Sequence, residues 1–251
     1  DYGDVPLDDE GYHAAPMNLK YHMDYGMFLQ WARSGDRRWL RLGEAASRHI
    51  ADIDILHSRH NPRHWGDGIM FGHSEHDEPG LLTTYYLTGY EKAYEAALEL
   101  ADCIAWRLQN DDHLCPLLPA GQCSGAGYAL GDGMYGNGCR PAANNLQIVV
   151  SAYRATGAPH YLATADALVR WARAADQPYI HGPTGQDMML KPQMLALYLR
   201  ALAEYLEVRA EFGLPDNGAR ASYLAYAHWL RTYPWIDLSP IDTGPRAAFP
   251  Y

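Results

Sequence analysis

Apolar residues recur along this chain in steps of three and four. After Gly35 they fall at Trp39, Leu42, Ala46, Ile50 and Ile53. After Gly89 they fall at Ala93, Ala97, Leu100, Ala101, Ile104 and Leu108. After Gly157 they fall at Tyr161, Ala165, Leu168, Val169 and Ala172. Such steps place the side chains on one face of an α-helix. No long apolar–polar alternation asks for a sheet, so the pattern predicts an all-α chain.

Each run begins just after a recurring turn signature. It reads Trp31-Ala-Arg-Ser-Gly35-Asp-Arg-Arg-Trp39, then Tyr86-Leu-Thr-Gly89-Tyr-Glu-Lys-Ala-Tyr94, then Tyr153-Arg-Ala-Thr-Gly157-Ala-Pro-His-Tyr161. A looser copy runs from Glu211 to Leu224 and places its glycine at Gly218. Glycine ends a helix in the left-handed region without steric cost. Asp36 and Asp216 suit helix N-caps, and Pro159 and Pro215 suit a first helical turn. The signature therefore predicts four antiparallel helix pairs, at 17–34/36–54, 79–88/90–108, 143–156/158–174 and 187–212/215–232. Repetition on this scale means stacked supersecondary units in one domain spanning residues 1–251.

The turns within pairs are short, whereas the connections between pairs are long: 1–16, 56–78, 109–142 and 176–186. Long loops of this kind are usually functional. In an antiparallel array they share one end, and nine of the twelve histidines fall there or beside it. The densest stretch is 57–78, with His57, His60, His64, His73 and His76 beside Arg63, Trp65, Asp67, Glu75, Asp77 and Glu78. Histidine exchanges protons near neutral pH, which makes His73 and His76 candidate acid–base residues with Glu78 beside them. The same His and carboxylate types also suit a divalent metal, but no cofactor is required by the sequence. Asn144 and Asn145 stand at the start of the predicted third pair, as caps or as hydrogen-bond donors to a substrate. Arg63 and Lys191 are candidate anion contacts, and Trp65 and Tyr128 candidate sugar contacts. The loop at 121–138 holds seven glycines but lacks the Gly-Lys-Ser/Thr of a phosphate-binding loop.

Composition narrows the partners. The formal charge is −10 without a Lys/Arg run, which argues against nucleic acid. No apolar stretch approaches the ~20 residues of a membrane helix. Nineteen Tyr and seven Trp against four Phe fit either helix packing or stacking on sugar rings. Cys103 falls on an apolar helical face and reads as a buried thiol. Cys115, Cys123 and Cys139 lie in or beside the glycine-rich loop, and a disulfide between two of them would fit an oxidising compartment. With a chain that begins at Asp1, the expectation is a secreted or periplasmic protein, or a segment of a longer one.

The run Tyr25-Gly-Met-Phe-Leu-Gln30-Trp-Ala-Arg-Ser-Gly-Asp-Arg-Arg-Trp39, followed by Glu44-Ala-Ala-Ser-Arg-His49, resembles the helical domain of exo-rhamnogalacturonan lyase-like proteins. Gly72-His73-Ser and Gly80-Leu-Leu-Thr-Thr-Tyr-Tyr-Leu-Thr-Gly89 fit the same pattern. The likeness covers mainly residues 17–108, with a weaker echo at 144–174. It implies an α/α toroid, here a partial one of about four hairpins, and a polysaccharide lyase-like activity on a uronate-containing glycan. In β-elimination, Asn144, Asn145 or Arg63 would neutralise the uronate carboxylate, His73 or His76 would take the proton, and Tyr21 or Tyr128 would protonate the leaving oxygen. A glycoside hydrolase needs two carboxylates instead, for which Asp24, Asp67, Glu75, Asp77, Glu78 and Asp187 are candidates. A third reading is a non-catalytic extracellular module that binds glycan or self-associates through the ends of its array.

Overall fold

The computed structural model of this protein describes residues 23–57, 61–62, 79–110, 139–173, 192–232, 236–237 and 247–248. Helix dominates them. The order is α1 (Met23–Ser34), α2 (Arg37–His49) continuing into a π turn (Ile50–Asp54), α3 (Pro79–Thr88), α4 (Glu91–Asn110), α5 (Cys139–Thr156), α6 (Pro159–Trp171), α7 (Pro192–Glu211) and α8 (Asn217–Thr232). Extended backbone among the described residues is limited to two antiparallel pairings of two residues each, Ile55–Leu56 with Asn61–Pro62 and Ile236–Asp237 with Ala247–Ala248. Each helix packs on its sequence partner, and α1 packs on α3, α4 on α5 and α6, and α5 on α7.

Three of the four linkers are the same turn. Gly35, Gly89 and Gly157 have φ of 69°, 72° and 69°. Their N–H groups bond the carbonyls of Trp31, Tyr85 and Tyr153 at 2.7–2.8 Å, which is the single-bond left-handed cap. The residue before each glycine is Ser34, Thr88 or Thr156. Its hydroxyl donates to the carbonyl four residues back at 2.6–2.7 Å. It also accepts the N–H two residues ahead at 3.1–3.3 Å. One hydroxyl thus satisfies an acceptor of the ending helix and a donor of the next.

The fourth linker differs, and the expected glycine moves. Gly213, not Gly218, has the positive φ, at 70°. Its N–H bonds Ala210 at 3.0 Å while Leu214 N–H reaches back to Arg209 at 2.7 Å, the six-to-one closure of a Schellman cap. Phe212 precedes this glycine and offers no hydroxyl. Gly218 is instead the second residue of α8, and Pro215 lies in the linker rather than in the first turn. The two expected aspartate caps are present. Asp36 accepts Arg38 N–H at 2.9 Å and Asp216 accepts Ala219 N–H at 2.9 Å. Pro159 opens α6 as expected.

The core centres on α5. Residues Ala142 to Val150 are buried without interruption, the mark of a helix covered on all sides. Tyr198, Tyr205 and Tyr226 are the bulkiest side chains sealed inside, so part of the tyrosine excess is packing. Tyrosine also links successive pairs through aspartate. Tyr90 Oη donates to Asp52 at 2.9 Å, Tyr161 to Asp102 at 2.7 Å, and Tyr205 to Asp166 at 2.7 Å and Asp216 at 3.0 Å. Arg209 Nη1 completes the last cluster on Asp166 at 2.6 Å. Burial, followed by the bonded Asp166, pushes the Tyr205 phenol up.

Candidate functional site

One groove gathers polar groups from all four first helices. It has a volume of about 170 Å³. Tyr25 enters from the start of α1, and Thr83 and Tyr86 from α3. Gln147, Ser151 and Arg154 line it from α5, and Arg200 and Glu204 from α7. The helical period explains the convergence. Gln147, Ser151 and Arg154 are spaced four and three apart, and Arg200 and Glu204 four apart, so each set lies along one stripe of its helix.

The polar groups hold one another in part. Gln147 Nε2 donates to both oxygens of Glu204 at 3.1 and 2.9 Å. Arg200 Nε donates to the same carboxylate at 3.3 Å. Arg154 forks onto Glu211 through Nε at 3.1 Å and Nη2 at 3.0 Å. The Arg200 guanidinium carbon stands 6.0 Å from the centroid of the Tyr25 ring, at the outer limit of a cation–π contact. Burial pushes the Glu204 carboxyl above its ordinary value, against the opposing charge and hydrogen bond of Arg200. The groove therefore sets one half-buried carboxyl beside two guanidiniums whose side chains are 43% and 40% exposed. Arg200 commits only Nε among the described residues, so its Nη groups are available to an anion.

A larger cleft of about 450 Å³ lies between α7 and α8. Its walls are mainly Ala203, Leu206, Ala210, Tyr223 and Leu224, and its one carboxylate, Asp216, is already occupied by the α8 cap and Tyr205. Asn217, Arg220 and Tyr223 supply the rest of its polar lining.

The sequence candidates fall into two classes. Tyr21, Arg63, Trp65, His73, His76, Glu78, Tyr128 and Lys191 lie outside the described residues. Asn144 and Asn145 are described, and their position corrects the expectation. The helix starts at Cys139, so both lie inside α5 rather than ahead of it, and they are 2% and 1% exposed. Asn144 and Asn145 therefore serve neither as caps nor as groups on an open rim. The earlier start is compatible with Pro141, because the first helical turn needs no N–H there. Asp24, a hydrolase candidate, is also sealed. It is 1% exposed, accepts the Ser47 hydroxyl at 2.6 Å and presses on the backbone of Gly80, where an added Cβ would lie 1.7 Å from Oδ2. Burial raises its pKa above the ordinary value, against the Ser47 bond.

His57 is the one histidine of the 57–78 stretch that is described. Its Nδ1 meets Glu99 at 2.6 Å and its Nε2 meets the Ala51 carbonyl at 2.7 Å, which ties the chain leaving the π turn to α4. Among the described residues no group of three His, Cys, Asp or Glu is placed to hold a metal ion. Cys103 is buried on α4 as its spacing predicts. Cys139 opens α5, and Cys115 and Cys123 lie outside the described residues. No described helix is long and apolar enough to cross a membrane.

Sequence reasoning offers no candidate at Arg154, Arg200 or Glu204. The signal that reveals them is a polar stripe on helices otherwise committed to the core. Compared with known proteins, the chain matches no family model, no curated protein and no solved structure.

Proposed function

We propose that this protein is carbohydrate-active and holds a uronate-containing glycan in the groove between α1, α3, α5 and α7, with β-elimination of the polysaccharide lyase type as its reaction. The supporting observation is the convergence of Arg154, Arg200, Glu204, Gln147 and two tyrosines from four separate helices. In this reading the helix pairs form an open segment of an α/α toroid, and the groove is its inner face. A guanidinium is the natural partner for a sugar carboxylate, and Tyr25 and Tyr86 supply rings and hydroxyls for a sugar face. Neutralising the carboxylate makes the adjacent carbon acid easier to deprotonate. Glu204, held by Gln147 and Arg200, would take that proton as its carboxylate and deliver it to the leaving oxygen as the C–O bond breaks, one group serving as base and then acid.

A hydrolase would require a second carboxylate opposite Glu204, and no other carboxylate lines the groove among the described residues. The test is incubation of the full chain with uronate-containing and neutral polysaccharides, read by ultraviolet absorbance of unsaturated uronides and by product mass. An unsaturated product from uronate glycans alone is the expected result. Products that have gained water would convert the reading to hydrolysis. Binding without turnover would leave a glycan-binding module.

A further inference from the structure

The chain carries a formal charge of −10, yet the tip of its first hairpin is basic. Arg33 lies in the last turn of α1, and Arg37, Arg38 and Arg41 lie in the first turns of α2, all exposed. Asp36 is the only carboxylate in the stretch 25–43, and Arg38 already occupies it through a contact at 2.6 Å. Arg33, Arg37 and Arg41 have no carboxylate partner among the described residues. Their placement works against the helix. Cations at a helix N-terminus oppose its dipole, and Arg37 and Arg41 are like charges four residues apart. The first turn of α2 contains no acid to offset them. Trp39 stands among them with 38% of its surface open.

We propose that this tip is a second binding surface for an acidic polysaccharide, outlying from the groove. The inference rests on the reading of the groove as a site for a uronate glycan. The two places share helix α1: Tyr25 lines the groove and Arg33 follows eight residues later, about 12 Å along the helix axis. A polymer whose acidic sugar sits in the groove would extend across that distance. Guanidiniums with an exposed indole among them match its alternation of carboxylates and ring faces. Chain length then becomes the discriminating variable. A short oligomer fills the groove alone, whereas a polymer also engages the tip.

The experiment compares binding of polygalacturonate and trigalacturonate to the full chain and to three variants. These are the triple Arg33→Gln/Arg37→Gln/Arg41→Gln, the corresponding triple to Lys, and Arg200→Gln. The expected result is that the Gln triple weakens polymer binding about tenfold and flattens its salt dependence, while trimer binding is unchanged. The Lys triple keeps most of the polymer affinity, and Arg200→Gln weakens both ligands. Far-ultraviolet circular dichroism matching the parent shows that the Gln triple is folded, since all three positions are exposed. Unchanged polymer binding by the Gln triple, with trimer binding still dependent on Arg200, overturns the tip alone. Failure of every form to bind either uronate ligand overturns the groove reading and the tip with it. Duplex DNA bound more tightly than the polymer through the same arginines would replace the glycan as the partner of the tip.

Discussion

The groove between the first helices and the tyrosine–aspartate contacts between pairs are built from the same residue types and arrive at opposite states. At Tyr205 the phenol is bonded to Asp166 and Asp216, and Arg209 closes the cluster. In the groove, Arg200 reaches Glu204 through one nitrogen, and its other nitrogens have no hydrogen-bond partner among the described residues. Tyr, Arg and carboxylate are therefore not by themselves a functional signal. What distinguishes the groove is donors left over beside an open volume, whereas the polar groups of the Tyr205 cluster are bonded to one another and contribute to stability. Asp24 belongs with the sealed class although its residue type suggested chemistry.

The comparison can be broken first at Gly80. Its Cα faces the Asp24 carboxylate so closely that a Cβ has no room. Gly80→Ala is expected to cost about 3 kcal/mol through overpacking around a buried carboxyl, read as a lower denaturant midpoint. A variant as stable as the parent would show that α1 and α3 are not locked through this contact. Next is Tyr205→Phe, which leaves Asp166 and Asp216 without their shared donor. The expected loss is about 2 kcal/mol, with binding of a uronate trisaccharide unchanged. A loss of binding without a loss of stability would move the site to this cluster.

Gly157→Ala forces a left-handed residue to carry a side chain and is expected to cost about 1 kcal/mol. Thermal unfolding should fall by a comparable amount for Gly35→Ala, since the two turns share their bonds.

Asp24 gives a pH test with a definite sign. Its folded pKa is raised by burial, so the fold favours the protonated acid. That stabilisation is fully present below the unfolded value of 3.8 and is lost as pH rises through the folded value. Asp24→Asn keeps a neutral partner for Ser47 and should flatten this decline, so that the variant gains stability relative to the parent between mildly acidic and neutral pH. Denaturant titrations across that range check it, and a parallel decline in both proteins would contradict the assignment.

Much of the helical layout was legible before the structure because a left-handed glycine, a preceding Ser or Thr and a following cap are local signals. The ends of α1, α3 and α5 fall where the signature places them. The fourth copy differs because Gly218 follows the cap Asp216 by two residues, inside the next helix, whereas the Schellman closure is made at Gly213 and Leu214. The start of α5 lies at Cys139, ahead of the 143–156 predicted, because a first helical turn tolerates Pro141. With its first turn at Cys139, the helix carries Asn144 and Asn145 into the core rather than onto the rim that the long 109–142 connection suggests. The groove was not legible as a motif. Its chemistry is divided among Tyr25, Thr83, Gln147, Arg200 and Glu204, and only the packing of α1, α3, α5 and α7 assembles it.

The most direct test is calorimetric titration of trigalacturonate into the parent chain, Arg200→Gln and Tyr205→Phe. The groove reading predicts saturable binding by the parent, affinity reduced about tenfold in Arg200→Gln, and parental affinity in Tyr205→Phe. Stability of Arg200→Gln should stay within about 0.5 kcal/mol of the parent. Equal affinity of the parent and Arg200→Gln for the trisaccharide would contradict the assignment of the groove as the uronate site.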